Sequence, residues 1–317
     1  MSEARQKTVP AELSGQRLDQ ALASMFPEYS RSRLKSWLLK GLITVDERAM
    51  RPRDAVAGGE SVLLRPEPET VLDSEPEALD LDIIFEDEHC MVVNKPAGLV
   101  VHPGAGNPRG TLMNGLLHHA PELSQLPRAG IIHRLDKDTS GLILIGKTLE
   151  AHTELTRALA DREISRHYLA ICNGVLTGGG SIDAPIGRHP VDRLKMSVRQ
   201  DGKAAVTHYR VIKRFAAHTY ISVQLETGRT HQIRVHFAYK RHSLVGDQTY
   251  GGRLTVPAGA SDRLREILRR FRRQALHAEK IRFAHPASGK EMAFEVAPPA
   301  DFDELLAALA EDLETRK

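Results

Sequence analysis

The stretch AGIIHRLDKDTSGLILIGKT, residues 129–148, joins a polar segment to an apolar one and indicates how the larger part of the chain folds. Residues 136–141 are turn-forming, and residues 142–145 are β-prone. Asp136 stands directly before this strand. An aspartate beside a buried strand needs a partner, usually an arginine, or its pKa rises and it becomes neutral. From these residues alone, a turn or salt-bridge role for Asp136 is favoured, and catalysis is the alternative.

The same letters include GLILIGKT, residues 141–148, which satisfy the phosphate-loop pattern G-x-x-x-x-G-K-[ST]. A phosphate loop must curl so that several backbone N–H groups point at one anion. The run Leu-Ile-Leu-Ile favours an extended strand instead, and we predict no nucleotide site here. The glycine-rich stretch HPGAGNPRG, residues 102–110, is interpreted as a surface loop before a helix capped by Thr111.

Composition narrows the class of protein. Hydrophobic residues make up 41% and charged residues 27% of the 317 residues, as in ordinary globular proteins. No apolar run approaches the roughly 20 residues that a membrane-spanning helix needs. The first fifteen residues lack the apolar centre of a secretory signal. We therefore expect a cytoplasmic protein with no membrane partner.

Motifs for metal sites and for serine hydrolases are missing from the sequence. The fifteen histidines form no HExxH pattern, and His231 and His236 are five residues apart, on different helical faces. Cys90 and Cys172 are too few for a disulfide framework or a four-cysteine zinc site. No GxSxG elbow occurs. We predict no metal and no serine hydrolase.

Charge is unevenly distributed, although the net charge is only +3. Residues 14–58 contain eight basic and five acidic residues, and residues 261–282 contain eight basic and three acidic ones. Two such blocks suggest surfaces for a polyanion, and solvated helix faces are the alternative interpretation.

The pattern divides the chain into two domains and a linker. Residues 14–64 predict two helices and short strands, with Pro27 ending the first helix and Ser30 capping the second. The acidic, proline-containing residues 65–82 predict a linker. Residues 83–317 alternate strands and helices, which predicts a mixed-sheet domain whose final helix is capped by Asp301 and packs on the domain body. In the second helix, we expect four residues to face the core: Leu34, Trp37, Leu38 and Leu39.

HRLDKDTSG, residues 133–141, resembles the catalytic signature of the RluA family of pseudouridine synthases. Five further motifs match in the family's order and spacing: NKPAGLVVHPG (94–104), REISRHYLAICNG (162–174), LETGRTHQIRVH (225–236), LVGDQTYGG (244–252) and RQALHAEKIRFAHPASG (273–289). The resemblance implies an α+β fold with a mixed, mainly antiparallel sheet. Residues 14–64 resemble the small α/β RNA-binding domain of the ribosomal-protein alpha-L type.

The resemblance also implies a mechanism. Asp136 is then the catalytic aspartate, which acts as base or nucleophile at ribose C1′ while the bond to uracil N1 breaks. Arg234 falls where the family places its active-site arginine and would keep the carboxylate ionised. Tyr168 would stack on the flipped uracil and assist proton removal from C5. This isomerisation requires no cofactor.

The implied substrate is RNA. Softer motifs resemble the D-type members of the family, which modify the helix 69 stem-loop of the large-subunit (23S) ribosomal RNA. The expected partner is this RNA or the assembling large subunit, and the expected state is a monomer. Two rivals are a non-catalytic RNA-binding or ribosome-assembly factor and a nucleotide hydrolase. The candidate RNA-binding residues are Arg31, Arg33, Lys35, Lys40, His133, Arg134, Arg229, Arg269 and Arg272. Of these, Arg229 would either brace its loop or hold phosphate.

Overall fold

A computed structural model describes residues 4–27, 29, 31–66, 75–104, 106–192 and 194–316, without the side chains of residues 32 and 33. The chain forms two compact units, Met1–Asp73 and Ser74–Lys317, each with its own hydrophobic core. This division does not say what either unit binds, so the RNA-binding character of residues 14–64 stays a prediction. Within the described residues, no helix is long and apolar enough to cross a membrane.

The first unit packs two helices on a small antiparallel sheet. In chain order its elements are β1 (Arg5–Thr8), α1 (Leu18–Met25), α2 (Arg31–Leu39), β2 (Ile43–Val45) and β3 (Ser61–Leu64), and the strand order is β1-β3-β2. The two helices and strands β2 and β3 confirm the sequence prediction. Residue 30, the predicted cap, lies outside the described residues.

One predicted core residue of α2 is wrong. Leu34, Trp37 and Leu38 are buried, whereas Leu39 is 69% exposed. Residues 34, 37 and 38 follow the i, i+3, i+4 spacing of one helical face. Residue 39 is about 100° further around the helix, so its side chain points away from that face.

The second unit is built on a nine-stranded sheet. The strands of this unit are β4 (Ile83–Glu86), β5 (Cys90–Lys95), β6 (Ser140–Gly146), β7 (Ser165–Asn173), β8 (Gly180–Asp183), β9 (Ile186–Arg188), β10 (Met196–Val198), β11 (Val206–Arg214), β12 (His218–Leu225), β13 (Leu276–Ala284) and β14 (Glu291–Glu295). The order along the sheet is β4-β5-β6-β13-β7-β12-β11-β8, and β14 pairs with β13 beyond the stretch that β6 occupies. Among the strands of this sheet, only β6 and β13 run parallel, so the sheet is mixed and mainly antiparallel, as the resemblance implies. A separate two-stranded sheet joins β9 and β10.

Helices cover this sheet. They are α3 (Leu112–His119), α4 (Leu149–Ala160), α5 (Gln232–Tyr239), α6 (Asp262–Arg270) and α7 (Ala300–Thr315). Thr111 caps α3 as predicted, with its side chain accepting from the Asn114 N–H. Asp301 is wrong as the cap of α7, because the helix already begins at Ala300 with Pro299 in the cap position. Asp301 lies in the first helical turn and pairs with Arg273 instead.

Strand β6 is buried along its whole length. Because successive side chains of a strand point to opposite faces, Leu142 and Leu144 pack in one cluster and Ile143 and Ile145 in another. Residues 141–146 of the phosphate-loop pattern therefore form a central strand, as predicted, and their backbone pairs with β5 in the sheet.

Part of the predicted linker is attached to the second unit. Residues 75–82 form neither helix nor strand. The side-chain amide of Asn114 on α3 donates to the Glu75 carbonyl over 2.8 Å, and a carboxylate oxygen of Glu77 accepts from the Gly110 N–H at 2.7 Å. These two hydrogen bonds attach Glu75 and Glu77 to α3 and to the loop before it.

Candidate active site

Asp136 lies on the turn that leads into β6. The Thr139 N–H donates to the Asp136 carbonyl over 3.1 Å and closes this turn. From the end of β5, the fully buried Lys95 donates its ammonium group to the carbonyl of Lys137 at 2.9 Å and to those of Pro96 and Leu99. Lys95 thus ties the Asp136 turn to the NKPAG loop. The NKPAG motif matches the family, but its letters alone predict no role for Lys95.

Gly141 lets the turn reach its position. Its φ is +111°, and a Cβ at this residue would lie 2.2 Å from the carbonyl oxygen of Ala278 on β13. Gly141 and Ala278 are partners in the parallel pairing of β6 and β13. Any side chain would push these strands apart and shift the Asp136 turn with them.

Arg234 on α5 contacts Asp136 directly. Its Nη1 donates to Oδ2 of Asp136 over 3.0 Å, and the two side chains are 7% and 15% exposed. The contact that the sequence predicts between this carboxylate and an arginine is therefore present. The two residues are 98 positions apart in the chain. The catalytic roles of both stay predictions.

A second carboxylate holds the other side of the Arg234 guanidinium. Asp247 accepts from Nε at 2.7 Å and from Nη2 at 2.9 Å, and its side chain is completely buried. The N–H groups of Thr249 and Tyr250 also donate to Asp247. Asp247 belongs to the matching motif LVGDQTYGG, but the sequence alone does not predict its contact with Arg234.

Opposing effects set the pKa values of this pair. Burial disfavours the charge on Arg234, but hydrogen bonding to Asp247 and the charges of Asp136 and Asp247 outweigh it and raise its pKa. Burial would raise the pKa of Asp247, yet Arg234 and the two backbone donors lower it below its ordinary value. Both groups are therefore charged at neutral pH, and Arg234 is a fixed cation beside Asp136.

His231 and Tyr250 lie on the other side of Asp136, and the sequence alone does not predict an active-site role for either residue. His231 has a φ of +57° at the start of α5, and its Nε2 is 3.8 Å from Oδ1 of Asp136. Its Nδ1 is 2.7 Å from the Tyr250 hydroxyl, which also accepts from the Met196 N–H. Burial lowers the pKa of His231, while Asp136 opposes that shift and Arg234 adds to it. At neutral pH its imidazole is thus largely uncharged.

Tyr168 lies on β7 and lines the same cavity as Asp136. It is 5% exposed. Burial raises the pKa of its hydroxyl, with Arg166 opposing and Asp136 adding to the shift. The hydroxyl is therefore protonated at neutral pH. Among the described residues it has no hydrogen-bond partner.

The cavity has a volume of about 790 Å³, within the range of small-ligand sites. Asp136, Tyr168 and Arg234 all line it. Its wall is rich in cations, which are Arg128, Arg134, Arg162, Arg166 and Arg229. This combination suits a substrate that is both aromatic and negatively charged.

The predicted RNA-binding residues fall into three places. His133, Arg134 and Arg229 line the cavity. Arg134 is exposed, and Arg229 donates to the Ala204 carbonyl over 3.1 Å, which braces its loop. Burial and the charge of Arg166 lower the pKa of His133 to about 3, so it is uncharged. Arg269 and Arg272 are exposed beside a separate groove with Arg253.

The remaining candidates lie on and after α2 in the first unit. Arg31, Lys35 and Lys40 are exposed. The side chain of residue 33 lies outside the described part of the chain.

Among the described residues, one group has metal-ligand chemistry, namely Asp87, Cys90 and His285. Its ligand atoms lie within 4.8 Å of one another. Asp87 already accepts from the N–H groups of His89 and Cys90 and contacts His285 at 2.8 Å. Burial raises the pKa of the Cys90 thiol to about 12. These hydrogen bonds account for the cluster without an ion.

The chain is similar to known proteins in sequence and in fold. The model of the RNA pseudouridylate synthase family matches residues 89–239. The chain is 54% identical over 310 residues to "Ribosomal large subunit pseudouridine synthase D" of Pseudomonas aeruginosa, covering 98% of this chain and 97% of the relative. It is 51% identical over 311 residues to the protein of the same name in Escherichia coli K12, covering 98% and 95%.

A solved structure, "Human RNA Pseudouridylate Synthase Domain Containing 4", matches with a TM-score of 0.56 at 25% identity, covering 72% of this chain and 92% of that one. The motif resemblance is thereby confirmed. The chain belongs to the RluA family of pseudouridine synthases, and it is an isomerase that converts uridine to pseudouridine in RNA.

Proposed function

We propose that this enzyme modifies large-subunit (23S) ribosomal RNA in the helix 69 stem-loop, with Asp136 acting at the ribose of a flipped uridine. The names of the relatives support the choice of RNA. The observation that carries the mechanism is the Asp136–Arg234 ion pair on the wall of a cation-rich cavity beside Tyr168. We expect the enzyme to act in the cytoplasm, where ribosomal subunits assemble, and as a monomer.

The reaction moves one bond and loses no group. The uridine leaves its stack, which costs least in a hairpin loop, and enters the cavity. The bond between C1′ and N1 breaks, the uracil turns, and C1′ joins C5. The proton lost from C5 is balanced by the proton gained at N1. No redox partner is needed.

Asp136 is the group we assign to C1′. Arg234 places a permanent positive charge beside its carboxylate, because a guanidinium does not deprotonate. The second oxygen of Asp136 makes no bond to Arg234 and is available to the sugar. Either proton abstraction from the ribose or attack on C1′ uses an ionised carboxylate in this place.

Tyr168 is assigned to the base. Its ring can stack on the uracil, and its protonated hydroxyl can donate a hydrogen bond to it. Because burial keeps this hydroxyl protonated, it cannot remove the C5 proton as a phenolate at neutral pH. It can assist that step only by relaying a proton.

The arginines and lysines that the sequence predicts as RNA-binding residues are proposed to hold RNA phosphates. Residues 14–64 are proposed as an RNA-binding module through α2. Removing residues 1–65 is expected to weaken RNA binding and to flatten the plot of log affinity against log salt concentration, since fewer phosphate contacts release fewer counterions. An unchanged slope would mean that this unit does not touch RNA.

The test of the target is sequencing of pseudouridines in ribosomal RNA from cells that lack this chain. The helix 69 pseudouridines should be absent and should return with the wild-type gene but not with Asp136→Asn. Their persistence in the deletion strain would reject the site. Full modification by Asp136→Asn would mean that Asp136 is not the catalytic aspartate.

A further inference from the structure

Arg166 lies two residues before Tyr168 on β7. Side chains at positions i and i+2 of a strand point to the same face, and both residues line the cavity. Arg166 is 6% exposed, as buried as Arg234. It is therefore part of the cavity wall and not of the outer surface.

Arg166 differs from the other arginines of the cavity in being buried without a counter-ion among the described residues. Arg128, Arg134 and Arg229 also have no ion pair there, but these residues are exposed to solvent. Within the described ranges it makes no hydrogen bond and no ion pair, and its Nε is buried without a partner. Arg234, at the same burial, binds two carboxylates. The more exposed Arg162 pairs with Glu226 at 2.7 Å. A buried charge without a partner is costly, so such a residue needs an anion from outside the chain.

Gly228 makes room for this side chain. A Cβ at residue 228 would lie 2.7 Å from Nη1 of Arg166. The backbone at Gly228 does not have a positive φ, so the contact with Arg166 is what a side chain at this position would disturb. The guanidinium is thus packed against the TGR turn at the cavity wall.

We propose that Arg166 binds one of the two backbone phosphates that flank the flipped uridine. This inference rests on the proposed function, because it takes RNA as the ligand. A phosphate carries a permanent negative charge and matches the planar fork of a guanidinium. The uracil ring is uncharged when it binds and cannot neutralise a buried cation. The substrate then supplies the counter-ion that the protein lacks.

The test is a coupling experiment on binding. A uridine-containing hairpin is made in three forms, with natural phosphates or with one uncharged methylphosphonate on the 5′ or the 3′ side of the target. Dissociation constants are measured for the wild type, Arg166→Gln and Arg166→Lys at one salt concentration. For the wild type, one of the two methylphosphonates should weaken binding about 10- to 100-fold, the loss of a charge-assisted hydrogen bond.

Arg166→Gln should bind the natural hairpin with a similar loss and should lose little more with that methylphosphonate. Arg166→Lys should regain part of the difference in affinity between the natural hairpin and the methylphosphonate hairpin. If the glutamine variant is unfolded, Arg166→Lys takes its place in the comparison with the wild type. Arg162→Gln is the matched control, since it removes a cavity arginine that already has a carboxylate partner, and it should keep the full methylphosphonate penalty.

Equal penalties in the wild type and Arg166→Gln at both positions would overturn the proposal. Pseudouridine formation by the wild type on the natural hairpin is measured in parallel. If no pseudouridine forms while the coupling in binding is present, the proposed target has failed and the phosphate contact stands.

Discussion

Two arginine-rich regions of the second unit carry their charge in opposite ways. At the active site, Arg234 is 7% exposed in its side chain and is held by Asp136 and Asp247. At the end of α6, Arg269 and Arg272 are exposed, and the Nε of Arg272 reaches only the Arg269 carbonyl at 3.3 Å. A buried ion network is positioned before substrate arrives, whereas exposed cations act only when a polyanion approaches and are screened by salt.

The largest expected effect comes from the buried region. Asp136→Asn keeps the shape of the side chain and removes its charge. Single-turnover formation of pseudouridine should fall by more than about 1,000-fold, while RNA affinity changes little. Turnover within a few fold of the wild type would remove Asp136 from the mechanism.

Arg234→Ala should lower the single-turnover rate by about 100- to 1,000-fold, because Asp136 loses the cation that holds its carboxylate in place. Arg234→Lys should be intermediate, since it keeps the charge but loses the two-sided grip on Asp247.

Combining Arg234→Ala with Asp136→Asn should add little to Asp136→Asn alone, since the two residues act as a unit. A normal rate for Arg234→Ala together with an inactive Arg229→Ala would mean that the active-site arginine is Arg229.

Asp247→Asn tests whether the network also stabilises the fold. At neutral pH it should lower the free energy of unfolding by about 3 kcal/mol, because a buried guanidinium loses one carboxylate. The folded-state pKa of Asp247 is lowered, so its contribution is present above its ordinary pKa of 3.8 and is lost as pH falls through the folded value. Denaturant unfolding from pH 7 to pH 3 should therefore show the difference from the wild type narrowing below about pH 4. A constant difference would mean that Asp247 acts only through packing.

The smallest effect is expected in the exposed region. Replacing Arg269 and Arg272 together by glutamine should weaken RNA binding about 3- to 10-fold and reduce the salt slope by about two, with the single-turnover rate at saturating enzyme unchanged. A lower saturating rate with an unchanged salt slope would place these arginines with the buried region instead.

Local features of the fold were readable from the sequence. The period of apolar residues predicted α1, and the β-prone run 142–145 predicted β6, because both signals depend on neighbours within a few positions. The two errors have a local cause as well. Leu39 is apolar but lies off the buried face, and Asp301 is a good capping residue that follows a helix start set by Pro299.

The sequence by itself determined the family and the presence of a carboxylate–arginine pair. Each of the two motifs that carry them, HRLD and TGRTHQIR, is one continuous stretch of sequence and can be read without knowing the fold. Only the tertiary structure decided which residues complete the site. Asp247 and Lys95 are 111 and 41 positions from Asp136, and the packing of α5, β5 and the turn at Gly141 brings them together. That Arg166 has no partner within the described part of the chain likewise depends on all the segments that pack around it. Such contacts are set by the three-dimensional packing of distant segments, which no local pattern of residues records.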